Sequence, residues 1–308
     1  MGVNCETTLT TANMSCKYAI VTGANKGIGF EVVRQLASKG VTVILTARNE
    51  MRGIAAVSSL VESGLTNVVF HQLDVCDPAS LECLAKFVKS QFGTLDILVN
   101  NAGVSGVVVD VEGIRALNID PLSGEAANIV QGVIQQTYRN AEVCIDTNYY
   151  GVKRVTEALL PFLRLSPSGA RIVNVSSLRS ELKRIPNEET RKELGRIKTL
   201  TEAKIDGIVE RFFCDLKQGK LEANGWSIMF PAYSISKASL NAYTRVLAKT
   251  YPKMYINCVH PGSVNTDVNW HTNAMSVKEG ARGPVMLALL PDGGPSGSYF
   301  DQTNLAEF

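Results

Sequence analysis

The sequence predicts an α/β fold in which a doubly wound parallel sheet of about seven strands has helices on both faces and carries an inserted helical segment. Short apolar runs alternate with longer amphipathic stretches along the chain, which is typical of strand–helix–strand units. The short runs are apolar at nearly every position, as expected for strands that are buried on both faces. Right-handed crossovers then place the helices on the two faces of one parallel sheet.

Seven short segments predict the strands, and five longer segments predict the main helices. Apolar residues dominate the strand segments, whereas the helical segments repeat their apolar residues at intervals of three and four. The predicted strands are residues 18–22, 41–46, 68–71, 95–99, 171–175, 254–259 and, after a turn rich in Gly and Pro, 298–300. The predicted helices are residues 29–39, 51–63, 78–92, 148–163 and 233–251.

Two segments, at about residues 104–146 and 178–230, do not follow this alternation. Eighteen of the forty residues from 183 to 222 are charged, yet a predicted helix in this part has one apolar side. Thr199 and Glu202 have the spacing of a capping box at its start. We therefore expect a surface helix docked on a single domain, residues 17–308, which follows a disordered leader of residues 1–16. The apolar side consists of Ile205, Ile208, Val209, Phe212 and Leu216.

Composition and charge argue against several classes of function. The 308 residues include 31 basic and 29 acidic side chains, and a net charge of +2 does not suit nucleic acid or an anionic membrane as a partner. No apolar run reaches the roughly 18 residues of a membrane span. Seven scattered cysteines form no CxxC pair, and three histidines make a zinc site improbable. We expect a cytoplasmic protein with reduced thiols and no metal.

Residues 22–29 form a glycine-rich motif between the first predicted strand and the first predicted helix. Gly23 permits a tight turn, Gly27 lets the backbone approach a pyrophosphate, and Gly29 allows the helix to pack closely. The helix N-terminus then directs its N–H groups at the diphosphate of a dinucleotide. A glycine pattern is weak evidence by itself, but the strand–turn–helix context strengthens it. The predicted contacts are Gly23, Asn25, Lys26, Gly27, Ile28 and Gly29.

Cations stand where a carboxylate would bind the ribose 2′-hydroxyl of NAD(H). Such a carboxylate follows the second strand, about 20 residues beyond the glycines, where this chain has Arg48 and, one turn later, Arg52. Together with Lys26 they favour a 2′-phosphate and hence NADP(H), although each one alone would be interpreted as a solvated surface cation. Asp74, at the end of the third strand, either accepts a hydrogen bond from adenine or caps the helix that begins near Pro78.

Tyr233 and Lys237 are four residues apart, so both side chains lie on one face of a predicted helix. A phenol has a pKa near ~10, and an adjacent ammonium group lowers that pKa because it stabilises the phenolate. Tyr233 is therefore a candidate general acid for reducing a ketone and a general base for the reverse reaction. A single Tyr/Lys pair of this kind would more often lie on a solvent-exposed helix surface, but the accompanying motifs favour a catalytic role for this pair.

Five motifs occur in order along the chain, namely residues 22–29, 100–103 and 174–177, Tyr233 with Lys237, and Pro261 with Gly262. Over about residues 17–305 they resemble the short-chain dehydrogenase/reductase family, whose members have the Rossmann fold. Residues 25–31, 147–151 and 290–297 are more closely similar to the monomeric carbonyl reductases with a long insert before the tyrosine, and among these to the plant menthone and salutaridine reductases. The resemblance implies a monomer that acts on a small hydrophobic ketone.

The same resemblance implies roles for further residues. Ser177 polarises the substrate carbonyl. From the residues alone Ser176 is an equally good candidate for this role, but in the family the catalytic serine is the second of the two. Asn148 holds a water in a relay to Lys237, or caps the helix that it begins, and both roles are compatible. Thr266 contacts the nicotinamide carboxamide, and Lys237 also binds the nicotinamide ribose. Further cofactor contacts are expected at Val75, Asn101, Gly103, Pro261, Gly262 and Val264.

Three interpretations of the activity follow. The first is reduction by NADPH of a ketone on a hydrophobic terpenoid or alkaloid to a secondary alcohol, with the proton from Tyr233. The second is reduction of an enone C=C bond, an activity that, among the plant reductases this chain resembles, accompanies loss of the tyrosine at the position of Tyr233. The third is a non-catalytic NADPH-binding protein. His260 is expected to be packed or to contact the pocket. Trp270, His271 and Met275 lie in a segment expected to cover the substrate, and simple apolar packing is an equally open role for Trp270.

Overall fold

The computed structural model describes residues 17–110, 112–113, 134–267 and 275–308. The predicted leader, part of the first inserted segment, and Trp270 and His271 lie outside these residues. In the described part of the chain, no helix is long and apolar enough to cross a membrane. Within the same ranges, no three His, Cys, Asp or Glu side chains are grouped as metal ligands would be.

A parallel sheet forms the centre of the molecule. The strands are β1 Tyr18–Val21, β2 Thr42–Ala47, β3 Val68–Gln72, β4 Ile97–Asn100, β5 Val108–Val109, β6 Ile134–Gln135, β7 Arg171–Val175, β8 Tyr255–His260, β9 Tyr299–Asp301 and β10 Asn304–Ala306. Eight of them form one sheet in the order β10-β9-β8-β7-β4-β1-β2-β3, with β10 alone antiparallel. This confirms the predicted doubly wound sheet. The strand order reverses between β1 and β4, and ligands bind at this switch point in such folds.

Strand β10 is not among the predicted strands. It pairs with β9 across a two-residue turn at Gln302, whose φ of 55° lies in the left-handed region. The turn contains neither Gly nor Pro, and Asn304 and Leu305 are exposed. Because strand prediction depends on turn residues and on a buried face, the local sequence does not indicate this strand.

Helices alternate with the strands as predicted. Those in the described ranges are α1 Gly27–Ala37, α2 Glu50–Glu62, α3 Pro78–Gln91, α4 Tyr138–Ile145, α5 Gly151–Leu163, α6 Glu188–Gly195, α7 Glu202–Lys217, α8 Pro231–Thr250, α9 Val277–Gly280 and α10 Arg282–Ala288. A π-helical turn, Asp146–Tyr150, joins α4 directly to α5. Asn148 therefore lies inside a continuous helical run, and the expectation that it caps a helix is wrong.

Both faces of the sheet are buried, because alternate residues of each central strand enter separate apolar clusters. Ile20 of β1 packs in a cluster with α3, α5 and α8. Its neighbours Ala19 and Val21 pack in the other cluster, with α1, α2 and α10. This arrangement explains why the strand segments are apolar at successive positions and not at alternate ones.

Helix α7 packs its predicted apolar side against α8 and α4. It begins after Thr201, whose side-chain oxygen accepts a hydrogen bond from the Lys204 N–H at 3.3 Å. The expected capping box at Thr199 is therefore wrong, since Leu200 is buried in the turn before the helix. The fully buried members of the apolar side are Ile205, Ile208, Val209 and Phe212, while Leu216 is partly buried.

A cluster of charged and aromatic residues also joins α7 to α5. Lys153 Nζ lies 3.0 Å from Asp206 Oδ2 and 3.3 Å from Glu202 Oε2. The Tyr149 hydroxyl donates to Asp206 Oδ1 at 2.8 Å. The same ammonium group lies 5.9 Å from the ring centroid of Tyr243 on α8, so α5, α7 and α8 meet at one partly buried ion pair.

Candidate active site

The glycine-rich turn lies between β1 and α1, and polar contacts from the loop after β4 hold it. Gly23 has a φ of 62°. Thr22 Oγ1 accepts hydrogen bonds from the backbone N–H groups of Asn101 and Ala102, at 2.9 and 3.0 Å. The Asn101 amide donates to the carbonyls of Thr22 and Gly23. A Cβ at Gly29 would lie 2.4 Å from Asn101 Nδ2, so Gly29 leaves room for this amide.

The N-terminus of α1 can accept an anion. Its N-cap residue, Lys26, makes no side-chain hydrogen bond to the first turn, and that turn has no acidic residue. Helices α2 and α3, in contrast, are capped by the side chains of Asn49 and Asp77. Uncapped N–H groups and the helix dipole suit a diphosphate, and Gly27, with φ of 60°, allows close backbone approach.

The three predicted phosphate cations differ in their surroundings. Arg48 directly follows β2, and Arg52 lies in the first turn of α2; both are exposed. Neither forms an ion pair with the residues that the structure describes. Lys26 is also exposed, but its ammonium group pairs with Asp267 across the cleft. The two arginines are therefore open to a phosphate, whereas Lys26 is directed toward a carboxylate.

Asp74 and Val75 follow β3 at the same edge of the sheet. Asp74 Oδ1 accepts a hydrogen bond from the Cys76 N–H at 3.0 Å. Because Asp77 caps α3, the alternative that Asp74 caps this helix is wrong. The Val75 carbonyl accepts a hydrogen bond from Arg154 Nη1 at 2.9 Å, which ties this loop to α5.

The structure brings Lys237, Asn148 and Gly103 together. Lys237 is buried, and its Nζ donates to the Val175 carbonyl at 2.8 Å, at the end of β7. A Cβ at Gly103 would lie 3.2 Å from Asn148 Oδ1 and 3.5 Å from Lys237 Nζ. A side chain at position 103 would therefore make a tight contact with the Asn148 amide, which glycine avoids.

Tyr233 lies one turn before Lys237, and the ammonium nitrogen is 5.8 Å from the phenol ring centroid. Burial raises the pKa of Tyr233 to about 12, although its hydrogen bond with Ser177 opposes this shift. Burial also lowers the pKa of Lys237 to about 8. The expected lowering of the Tyr233 pKa is therefore wrong for the protein chain alone, because loss of hydration outweighs the effect of neighbouring charge.

The structure distinguishes the two serines after β7. Ser177 lies close enough to Tyr233 to lower the pKa of its phenol. Ser176 instead donates to Asn241 Oδ1 at 2.6 Å, and the Asn241 amide donates to Ser180. Ser176 is thus held in a buried chain of hydrogen bonds along α8, while Ser177 lies beside the phenol.

Two residues at the site carry no motif and were missed in the sequence. Ser236 Oγ accepts a hydrogen bond from Asn148 Nδ2 at 3.1 Å and donates to the Tyr233 carbonyl at 2.8 Å. The buried Cys144 Sγ lies 3.3 Å from the same amide nitrogen. Their spacing is the available signal, since Ser236 is three residues after Tyr233 and Cys144 is four residues before Asn148.

The segment after β8 lies against the glycine-rich turn. Pro261 and Gly262 are buried, and Gly262 has a φ of 93°. Val264 pairs with Met275 across this segment. A Cβ at Gly27 would lie 3.7 Å from Thr266 Cγ2. Thr266 therefore lies beside the glycine-rich turn, whereas the buried Val264 side chain packs against Gly280.

His260 ends strand β8 and is largely buried, and its carbonyl accepts a hydrogen bond from the Gln302 N–H at 2.7 Å. Asn25 and Ile28 lie in the glycine-rich turn and the first turn of α1, where both are partly buried. These positions complete the set of predicted residues that the structure describes.

Comparison with known proteins agrees with this geometry. A family model described as short chain dehydrogenase matches residues 17–187. The chain is 52% identical over 295 residues to a protein named short-chain dehydrogenase/reductase 1 from Saponaria officinalis, covering 95% of this chain and 96% of that protein. It is 49% identical over 296 residues to (+)-neomenthol dehydrogenase of Arabidopsis thaliana, covering 95% and 98%.

A more distant relative and two solved structures extend the comparison. A carbonyl reductase of Bos taurus whose name specifies NADPH is 36% identical over 301 residues, covering 94% of this chain and 98% of that protein. Salutaridine reductase of Papaver somniferum has a TM-score of 0.85 and 48% identity, covering 92% of this chain and 99% of that one. Menthone neomenthol reductase of Mentha piperita has a TM-score of 0.82 and 43% identity, covering 94% and 99%. With its glycine-rich turn and its Ser, Tyr and Lys at one edge of the sheet, this chain is an oxidoreductase that belongs to the short-chain dehydrogenase family.

Proposed function

We propose that the protein is an NADPH-dependent carbonyl reductase that converts a ketone on a hydrophobic terpenoid or alkaloid into a secondary alcohol. The observation that carries this proposal is the convergence of Ser177, Tyr233 and Lys237 beyond the end of β7: Ser177 acts on the pKa of the Tyr233 phenol, and the buried Lys237 Nζ lies 5.8 Å from the phenol ring centroid and 2.8 Å from the Val175 carbonyl. Relatives named for neomenthol, menthone and salutaridine support the substrate class. The enzyme is proposed to act as a cytoplasmic monomer.

The cofactor is proposed to be NADP(H), and when bound it supplies the hydride. The glycine-rich turn and the uncapped N-terminus of α1 suit its diphosphate. Arg48 and Arg52 are free of ion pairs with the described residues and can bind a 2′-phosphate. Asp74 and Val75 are proposed to contact the adenine. The NADPH in the name of the bovine relative supports the choice of cofactor. The nicotinamide half would contact Asn101, Gly103, Pro261, Gly262, Val264 and Thr266.

Ser177 and Tyr233 would handle the substrate oxygen. The Ser177 hydroxyl donates a hydrogen bond to the carbonyl oxygen and orients it. As hydride reaches the carbonyl carbon, the C=O π bond opens and its electron pair moves to oxygen. The Tyr233 hydroxyl transfers its proton to that oxygen, which leaves an alcohol and a phenolate. In the reverse direction the phenolate accepts the alcohol proton.

Lys237 and Asn148 would support this proton transfer. A protonated Lys237 stabilises the Tyr233 phenolate, because the ammonium group lies on the same helix face. Asn148 is proposed to hold a water that exchanges protons with Lys237. Its side-chain amide also binds Val104 and Ser236, which fixes its orientation.

Reduction of an enone C=C bond is the second candidate. The relatives include (-)-isopiperitenone reductase of Mentha piperita, at 49% identity over 304 residues, covering 92% of this chain and 96% of that protein. In the plant branch that this chain resembles, enone reduction accompanies loss of the tyrosine. The intact Tyr233 therefore favours C=O reduction, and the complete set of Ser177, Tyr233 and Lys237 argues against a non-catalytic protein.

The test is a panel of cyclic ketones and enones with NADPH, followed by the loss of NADPH absorbance and by chromatography of the products. A secondary alcohol as product supports the proposal. A saturated ketone formed from an enone identifies the second candidate. NADPH binding without turnover on any member of the panel indicates a non-catalytic protein.

A further inference from the structure

Two hydrogen bonds meet at one peptide group of the loop that follows β3 and carries Asp74 and Val75. The Val75 carbonyl accepts a hydrogen bond from Arg154 Nη1 at 2.9 Å. The Cys76 N–H, which belongs to the same peptide group, donates to Asp74 Oδ1 at 3.0 Å. Because a peptide group is planar and rigid, Arg154 and the Asp74 carboxylate hold the two polar atoms of one plane.

A second contact fixes the guanidinium group of Arg154 where it binds this loop. Arg154 lies in the first turn of α5, and its Nη2 pairs with Asp146 Oδ1 in the π-helical turn. A guanidinium group is a rigid, planar fork, so one side chain binds the carbonyl and the carboxylate at once. Arg154 therefore joins the helical run that contains Asn148 to the loop after β3.

The loop is also packed directly against this helical run. A Cβ at Gly151 would lie 2.9 Å from Val75 Cγ2, closer than non-bonded carbon atoms approach, so glycine permits the contact. Cys76 Sγ lies 3.6 Å from Thr147 Oγ1 in the π-helical turn. The loop thus rests on a packed surface, and the hydrogen bond from Arg154 sets the orientation of its peptide group.

We propose that Arg154 is a positioning residue for the cofactor, which orients the Asp74 carboxylate to accept a hydrogen bond from the adenine amino group. The role rests on the proposed NADP(H) site, in which Asp74 and Val75 contact the adenine. Without the guanidinium group, the peptide group after Val75 is free to rotate, and the Cys76 N–H no longer holds Asp74 Oδ1 in place. Loss of Arg154 should therefore weaken recognition of the adenine base.

An analogue of the cofactor tests this role by a binding measurement. Reduced nicotinamide hypoxanthine dinucleotide phosphate differs from NADPH in its base, which has an oxygen in place of the exocyclic amino group. It therefore offers the Asp74 carboxylate no hydrogen at that position. Titrations followed by the fluorescence of the reduced nicotinamide give Kd for both ligands. The wild-type protein should bind NADPH about tenfold more tightly, because the analogue lacks one hydrogen bond to a charged group.

Three variants then isolate the contribution of the guanidinium group. Arg154→Met removes it and keeps an unbranched chain, and we expect the tenfold preference for NADPH to fall to about twofold. Arg154→Lys keeps a charge beside Asp146 but lacks the fork, so its preference should be intermediate, and it replaces Arg154→Met if the latter does not fold. Arg164→Met is the matched control directly after α5, where the guanidinium group lies 5.1 Å from the Tyr251 ring centroid, and it should keep the full preference.

Each outcome bears on one of the two proposals. A preference that is lost in Arg154→Met and kept in Arg164→Met supports the role of Arg154. If Arg154→Met folds and keeps the preference, even with both ligands bound more weakly, Arg154 has only a packing role. Equal binding of the two ligands by the wild-type protein also overturns the role, since the amino group is then not recognised. A wild-type protein that binds neither ligand overturns the proposed function as well.

Discussion

Asn148 binds both backbone groups of Val104, with its Oδ1 accepting from the Val104 N–H and its Nδ2 donating to the Val104 carbonyl, each at 2.9 Å. This pair of hydrogen bonds joins the loop after β4 to the π-helical turn between α4 and α5. Gly103, the residue before Val104, is close to both Asn148 and Lys237, since a Cβ there would lie 3.2 Å from Asn148 Oδ1 and 3.5 Å from Lys237 Nζ. The contact therefore holds the loop after β4 beside the Lys237 side chain.

Replacing Asn148 by Asp should disrupt this contact. The new carboxylate oxygen would repel the Val104 carbonyl, which now accepts a hydrogen bond from the amide. We expect the free energy of unfolding to fall by about 1–3 kcal/mol and kcat to fall more than KM rises. Denaturant titration and steady-state kinetics measure both, with the exposed Asn304→Asp as control. Unchanged stability would show that the amide donor is not needed.

Replacing Tyr233 by Phe removes the proposed proton donor and keeps the ring. We expect kcat to fall by ~10²–10⁴-fold, which is the usual contribution of a placed acid–base group. NADPH affinity, followed by fluorescence titration, should stay nearly the same. Tyr255→Phe is the control, because its hydroxyl accepts a hydrogen bond from Gly293 at another edge of the sheet. Turnover within a few-fold of wild type would exclude Tyr233 as the donor.

Replacing Arg48 by Ala should weaken NADPH binding much more than NADH binding. Loss of a charge-assisted hydrogen bond costs roughly 1.5–3 kcal/mol, or about 10- to 100-fold in affinity. Titrations with both cofactors measure the difference, and Arg139→Ala, at an exposed cation of α4, is the control. Equal weakening of the two cofactors would mean that Arg48 does not bind the 2′-phosphate.

Burial of Lys237 should make stability depend on pH in a defined direction. Its pKa is lowered from 10.5 to about 8, so between these values the unfolded chain binds more protons than the folded one. The free energy of unfolding should therefore rise with pH from about 8 toward 10, relative to a Lys237→Met variant. Urea titrations at several pH values measure this difference. A difference that is flat or falls with pH would contradict the lowered pKa.

The protein should be a monomer in solution. Helix α7 covers α8 with buried apolar side chains, and the ion pair of Lys153 with Asp206 joins it to α5. Compact members of the family assemble through the two helices that correspond to α5 and α8, so α7 would block that surface. Light scattering should give the mass of one chain, 33.3 kDa. Twice that mass would contradict the prediction.

Much of the fold could be predicted because local sequence patterns indicate its strands, its helices and the glycine-rich turn. Continuous apolar runs mark strands buried on both faces, and the glycine-rich motif follows β1 as expected. The spacing of Tyr233 and Lys237 is a property of any helix, so their shared face did not depend on the rest of the chain. Strand β10 was not predicted, because the turn that joins it to β9 contains no Gly or Pro and the strand has no buried apolar face.

The direction of the Tyr233 pKa and the partners of Asn148 could not be predicted. Each depends on residues distant in the chain, such as Val104 for Asn148, and on how much water the fold excludes. The sequence by itself therefore determined the strands, the helices and the residue types of the site. Only the tertiary structure decided which charges meet in a buried place, because desolvation arises when separate segments pack together.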